Sequence, residues 1–156
     1  MVGLRRDRRC TEPRELTVTA ARALSGDTIA ATDSTGANVE VRLSDIGVPQ
    51  GSQPYAPASR VLLAAVVDGK TLRVVVTGEP SAGRVFGRVF AGELDVNREL
   101  VRRGAAWVCW EYAADTSLLQ DENGAYRWRR GVWPTTWHIQ ARVSCRERPP
   151  TAFRVP

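Results

Sequence analysis

Apolar side chains fall at alternate positions in Leu16, Val18 and Ala20, and the pattern breaks at Ser25-Gly26. An extended pattern resumes from Thr28 to Thr32, turns at Asp33-Ser34-Thr35-Gly36, and alternates again through Val39, Val41 and Leu43. Period-two alternation marks strands with one buried face, so residues 16–46 predict a three-strand meander. Gly47 to Pro57 carries four Pro and Gly punctuation points, at Pro49, Gly51, Pro54 and Pro57, and reads as loop. The apolar run from Ala58 to Val67 has helical length with a proline just before it, and Asp68-Gly69 stops it. Thr71–Thr77 and Val85–Ala91 read as two further strands, with Gly87 marking a bulge or a close backbone approach. Asp95 to Gly104 predicts a short helix with Asp95 as N-cap and Gly104 just past its end. Residues 115–130 predict a third helix, weakened at Gly124 by roughly 1 kcal/mol relative to alanine. The order βββαββαα describes a small α+β domain on a five-strand sheet.

Composition fits that picture. The chain has 156 residues, 43% of them hydrophobic, enough for one domain with a working core and too many for a disordered chain. No apolar run approaches the ~18 residues of a membrane span. The charge is uneven: residues 1–14 carry five arginines against Asp7 and Glu12, and residues 127–156 carry seven against Glu147, so the body between them is mildly acidic. The chain therefore divides into a basic N-terminal arm (1–14), a folded domain (15–133) and a Pro/Arg-rich C-terminal tail (134–156). Such ends are ordinarily solvated, and a polyanionic partner is the functional alternative. Cys10, Cys109 and Cys145 are too few for a disulfide framework or a zinc knuckle; one bridge with a leftover thiol and three free thiols both remain open. No apolar segment follows the N-terminal arginines as a secretory signal requires, and an exported form with its signal already removed fits the chain equally.

Six segments carry a resemblance: Ser25-Gly26-Asp27-Thr28, residues 41–50, Gln53-Pro54-Tyr55-Ala56, Phe86-Gly87-Arg88, residues 96–107 and Arg129-Arg130-Gly131-Val132-Trp133. In this order, over about 118 residues, they resemble the staphylococcal nuclease (thermonuclease) family. The resemblance implies a five-stranded OB-fold β-barrel with three helices, a fold suited to oligonucleotides. It also implies a phosphodiesterase acting on DNA and RNA with Ca²⁺, in which two arginines neutralise charge developing on the phosphate.

Carried over position by position, the family pattern is only partly present. Asp27 matches a metal ligand, although Ser25 replaces a supporting carboxylate; outside this context it would be an ordinary turn residue. Arg42 matches the first catalytic arginine and Arg88 the second. The family's second metal aspartate falls on Gly47, which has no side chain, and its proposed general base falls on Gln50. An amide neither holds a hard cation by charge nor accepts a proton near neutral pH. Asp45, two residues before Gly47 on the predicted strand, shares its face but sits roughly 6.5–7 Å away along it, so it is at best a displaced substitute ligand. Tyr55 and Tyr112 match pocket aromatics that stack bases, with packing over the barrel mouth as the plain alternative. Trp133 reads as core, and helix-to-barrel packing accounts for the other tryptophans of the C-terminal third. His138, the sole histidine, reads as a surface residue.

Three readings follow: an active Ca²⁺-dependent endonuclease, a nuclease fold that binds nucleic acid with impaired or lost hydrolysis, and a protein-interaction scaffold. Gly47 and Gln50 together favour the second, as a monomer that takes single-stranded DNA or RNA and no membrane.

Overall fold

The computed structural model describes residues 14–110, 113, 115–133 and 145. The meander forms where alternation predicts it: β1 (Glu15–Ala23), β2 (Thr28–Thr32) and β3 (Asn38–Leu43). A two-residue β4 (Ile46–Gly47) follows, then helix α1 (Ala56–Val67), β5 (Leu72–Val76) and β6 (Arg84–Ala91). A short β7 (Leu94–Asp95) leads into α2 (Val96–Arg102), and β8 (Trp107–Val108) precedes α3 (Leu118–Arg127). The sheet runs β3-β2-β1-β5-β6-β7, and β3 also pairs with β6 in parallel, Val41 opposite Val85. That parallel seam closes β1, β2, β3, β5 and β6 into a five-stranded barrel. With three helices it is the α+β OB-fold architecture that the sequence resemblance implies.

Two local departures have physical causes. The expected inward face of β1 fails at Ala20, which is exposed, while Ala21 and Ala23 are buried. The pairing to β2 slips between Thr19 and Arg22, and Ala20 takes a left-handed φ of 52°. This bulge bends the strand and reverses its phase, as barrel closure requires. Helix α3 begins later than predicted because Asp115 is captured by the Ser117 N–H and hydroxyl at 2.9 and 2.5 Å, a local turn that competes with helix.

Other predicted details are present. Asp95 accepts from the Arg98 N–H at 3.1 Å as the α2 cap, and Gly104 follows the helix at φ 70°. Gly87 is a close-approach position, since a Cβ there would lie 2.6 Å from Val74 Cγ1 and 2.7 Å from the Val75 carbonyl oxygen.

Val18, Ile29, Val41, Leu63, Val74 and Leu100 are among the core side chains, each at most 1% exposed. A smaller cluster of Trp107, Cys109, Val132 and Cys145 lies beside it, and Cys109 and Cys145 are joined by a disulfide with Cα atoms 5.5 Å apart. Of the two cysteine states left open by the sequence, the bridged one is adopted. Apart from Cys145, the expected tail at 134–156, with His138, lies outside the described residues, as do residues 1–13 of the arm, with Cys10.

Asn97 fixes α2 against the barrel. Fully buried, it accepts from the Val89 N–H at 3.0 Å and donates from Nδ2 to the Ser44 carbonyl at 2.9 Å, joining α2, β6 and the turn after β3. Asn97→Ala is expected to cost about 2–3 kcal/mol, because it leaves a buried donor and a buried acceptor unpaired. A urea midpoint within error of wild type would refute that.

Candidate active site

The β1–β2 turn holds the first predicted residue. Gly26 lets this turn lie against α1 and the strand end, since a Cβ there would meet Ser59 Cβ at 2.8 Å and Val48 Cβ at 3.2 Å. The next residue, Asp27, is thereby buried to 2% exposure. Its Oδ1 accepts from the Ser25 and Thr28 hydroxyls at 2.9 and 3.0 Å. Its Oδ2 has no hydrogen-bond partner and lies 3.6 Å from Arg42 Nε. Arg42 reaches that oxygen because Thr28 and Arg42 are register partners across β2 and β3. The turn thus presents one inward carboxylate oxygen beside one guanidinium.

The remaining predicted positions lie in the turn after β3, in β4 and in the loop after it. Asp45 does not share a strand face with Gly47 as the sequence suggested. The chain leaves β3 at Leu43, and Asp45 turns it with a left-handed φ of 66° before β4 begins at Ile46, so strand alternation does not connect the two. The Asp45 carbonyl accepts from the Cys109 N–H at 2.8 Å, which ties this turn to β8. Gly47 is buried and pairs with Trp107. Gln50 is exposed; its N–H donates to Gln53 Oε1 at 2.8 Å and its carbonyl accepts from the Gln53 N–H at 3.0 Å, closing a small turn. Tyr55 caps α1 at φ 73° and packs half-buried on the Trp107/Cys109 cluster. Tyr112 lies outside the described residues.

Arg88 occupies a different setting from Arg42. Its Nε and Nη2 donate to the two oxygens of Asp95 at 3.1 and 2.7 Å, and Nη2 also donates to Asp115 Oδ2 at 3.1 Å. Burial alone would lower its pKa, but the hydrogen bonds and charges of Asp95 and Asp115 outweigh that and raise it. This guanidinium pins the α2 cap and the segment before α3 to β6.

Sequence reading passed over Arg84, which stands on the same outward face of β6 as Phe86 and Arg88. Phe86 is the register partner of Arg42, and Arg84 that of Glu40, so Arg84 lies one step along the seam from Arg42. It is 51% exposed and pairs with Glu40 at 2.8 Å. The signal that could have found it is a second Gly-Arg pair, Gly83-Arg84, four residues before Gly87-Arg88.

Asp115 is a hub for this half of the domain. Arg98 Nη2 joins Arg88 on its Oδ2 at 3.2 Å, and the same Arg98 nitrogen also donates to the Ser117 hydroxyl. The Ser117 hydroxyl is the largest influence holding the Asp115 carboxyl at about 2; burial opposes it, and the Ser117 N–H and Arg88 reinforce it. A carboxylate depressed on folding stabilises the fold above its unfolded value of 3.8, and that contribution disappears as pH falls through about 2. Wild type is therefore expected to lose stability between pH 4 and 2 more steeply than Asp115→Asn. Parallel urea midpoints for the two proteins across that range would contradict this.

Calcium takes six to eight oxygen ligands, commonly several carboxylates. Asp27 Oδ2, which accepts no hydrogen bond, suits one such ligand. Among the described residues, however, no three His, Cys, Asp or Glu side chains gather as a metal-binding group. The donor set does not fit a full calcium cage.

The closed five-stranded barrel with three helices is an OB-fold domain in which Asp27 of the β1–β2 turn meets Arg42 of β3. The chain belongs to the staphylococcal nuclease family: residues 40–135 match the family described as "Staphylococcal nuclease homologue". It is 39% identical over 113 residues to an uncharacterized endonuclease of Escherichia coli, covering 72% of this chain and 73% of that one. An uncharacterized endonuclease of Haemophilus influenzae is 27% identical over 126 residues, covering 76% and 71%. The staphylococcal-like nuclease CAN1 of Arabidopsis thaliana is 31% identical over 96 residues, covering 62% of this chain and 30% of that protein.

Proposed function

We propose that this nuclease-family domain binds single-stranded DNA or RNA as a monomer through its phosphates, with phosphodiester hydrolysis impaired or lost. The observation that carries the reading is the buried Asp27 carboxylate beside Arg42; the family positions that would add a second carboxylate and a base are occupied by Gly47 and Gln50. Arg42 provides a planar donor for phosphate. Arg88, held by Asp95 and Asp115, and Arg84, half-exposed on the same face and paired with Glu40, are its candidate companions. Tyr55, and Tyr112 further along the chain, are the candidate base contacts.

Losing a general base costs 10²–10⁴-fold, and losing a metal carboxylate adds to that. Neutralisation by arginines persists without either, so binding outlasts cutting. Asp27 Oδ2, buried without a hydrogen-bond donor, also supports a second reading, in which one weakly held Ca²⁺ sustains slow endonuclease activity.

The experiment is cleavage and binding of a labelled single-stranded oligonucleotide with Ca²⁺ and with chelator, beside Arg42→Ala. The proposal expects salt-sensitive binding with little or no cutting. Calcium-dependent cutting that vanishes in the variant would establish the active reading instead, and absence of both binding and cutting would leave the interaction scaffold.

A further inference from the structure

The C-terminal ends of α2 and α3 are locked together by their backbones. Gly104 and Gly131 both take left-handed conformations, at φ 70° and 57°, and the Val132 N–H donates to the Gly104 carbonyl at 2.9 Å. Contact is so close that a Cβ on Gly131 would lie 2.0 Å from the Gly104 oxygen, and one on Gly104 would lie 2.3 Å from the Arg130 oxygen. Arg130 Nη1 also donates across to the Arg102 carbonyl at 3.2 Å. Arg102 and Arg103 from one helix end are thereby gathered with Arg127, Arg129 and Arg130 from the other, and all five are exposed.

Helix C-termini favour cations, which accounts for arginines there. It does not account for the aromatic rings among them. Trp128 is 71% exposed and Tyr126 59%, contrary to the expectation that packing absorbs the tryptophans. Tyr126 meets Trp133 edge-on at 5.6 Å, which fixes its ring. Glu99 holds Arg103, and Asp121 lies 3.9 Å from Arg102, but among the described residues no carboxylate pairs with Arg127, Arg129 or Arg130. Unneutralised arginines around rings with open faces match the alternating phosphates and bases of a single strand.

We infer that this helix-end surface is a second contact for single-stranded nucleic acid, with Trp128 stacking a base and Arg127 and Arg129 meeting phosphates. The inference rests on the proposed reading of the domain as a nucleic-acid binder and extends it to a surface that contains neither Asp27 nor Arg42.

The test is fluorescence anisotropy of a labelled twenty-nucleotide single strand across a salt series, with heparin as a polyanion lacking bases. Arg127→Glu/Arg129→Glu is expected to weaken strand binding at least tenfold and to flatten the salt dependence by roughly one unit of log–log slope. Trp128→Ala is expected to weaken strand binding about 5- to 100-fold while leaving heparin binding unchanged, with Trp128→Phe retaining most of the affinity. All three positions are exposed, and an unchanged melting temperature confirms the fold. Variants that bind the strand like wild type, while Arg42→Ala does not, overturn this inference and leave the proposed function intact. A Trp128→Ala loss that is equal for strand and heparin overturns the stacking role. A wild-type protein that binds no strand overturns both.

Discussion

Cys145→Ala is expected to lower the stability of the domain by about 3–4 kcal/mol, the loop-entropy value for a bridge spanning 36 residues. For a chain of this size that is roughly a 10 °C fall in melting temperature. The bridge is well placed to have this effect. It joins the residue after β8 to Cys145, well past α3, inside a cluster with Trp107 and Val132, and the Cys109 N–H holds the Asp45 turn. With Cys109 1% and Cys145 8% exposed, reductant reaches the bridge slowly, so the alanine variant is a cleaner measurement than added thiol. Melting curves that superimpose on wild type would refute the bridge as a structural element.

Arg42→Ala and Arg88→Ala are expected to fail in different ways. Removing Arg42 deletes a charge-assisted donor to phosphate, worth about 10- to 100-fold in oligonucleotide affinity. Arg42→Lys should recover only part of this, because an ammonium lacks the planar fork. Removing Arg88 instead frees Asp95 and Asp115, so its main cost is stability, with affinity measured on folded protein nearly unchanged. Arg84→Ala should resemble Arg42→Ala. Anisotropy titrations beside melting curves for the three variants separate these outcomes. An Arg88→Ala protein of normal stability and lost affinity would return the phosphate role to Arg88.

Where alternation was clean, as in Thr28–Thr32 and Val39–Leu43, the strands were legible because one face had to be buried. Ala20 and Asp45 were not, since each sits at a left-handed residue that resets the phase, and neither is a glycine that would announce it. The site was legible as a set of positions: Asp27 and Arg42 are brought together by the β2–β3 register that the meander implies. The sequence pointed to Arg88, and the different settings of Arg84 and Arg88 were beyond it. They are four residues apart on one face, and their surroundings differ through Asp95 and Asp115, which lie 7 and 27 residues beyond Arg88. The disulfide was hidden for a related reason, because pairing among three cysteines depends on where the fold brings them.

The parallel seam between β3 and β6 also governs what happens when the molecule fails. While the seam is shut, the edge of β3 is spent within the molecule and cannot recruit another chain. Opening it would release two apolar-alternating edges at once, Glu40–Leu43 and Arg84–Gly87, each able to template pairing between molecules. Glu40, Arg42 and Arg84 lie along those edges as charged gatekeepers that oppose such stacking. The solubility of partly unfolded protein therefore depends on the same outward-facing charges that hold the proposed site, and substitutions that remove them for functional tests should be watched for aggregation as well as for lost binding.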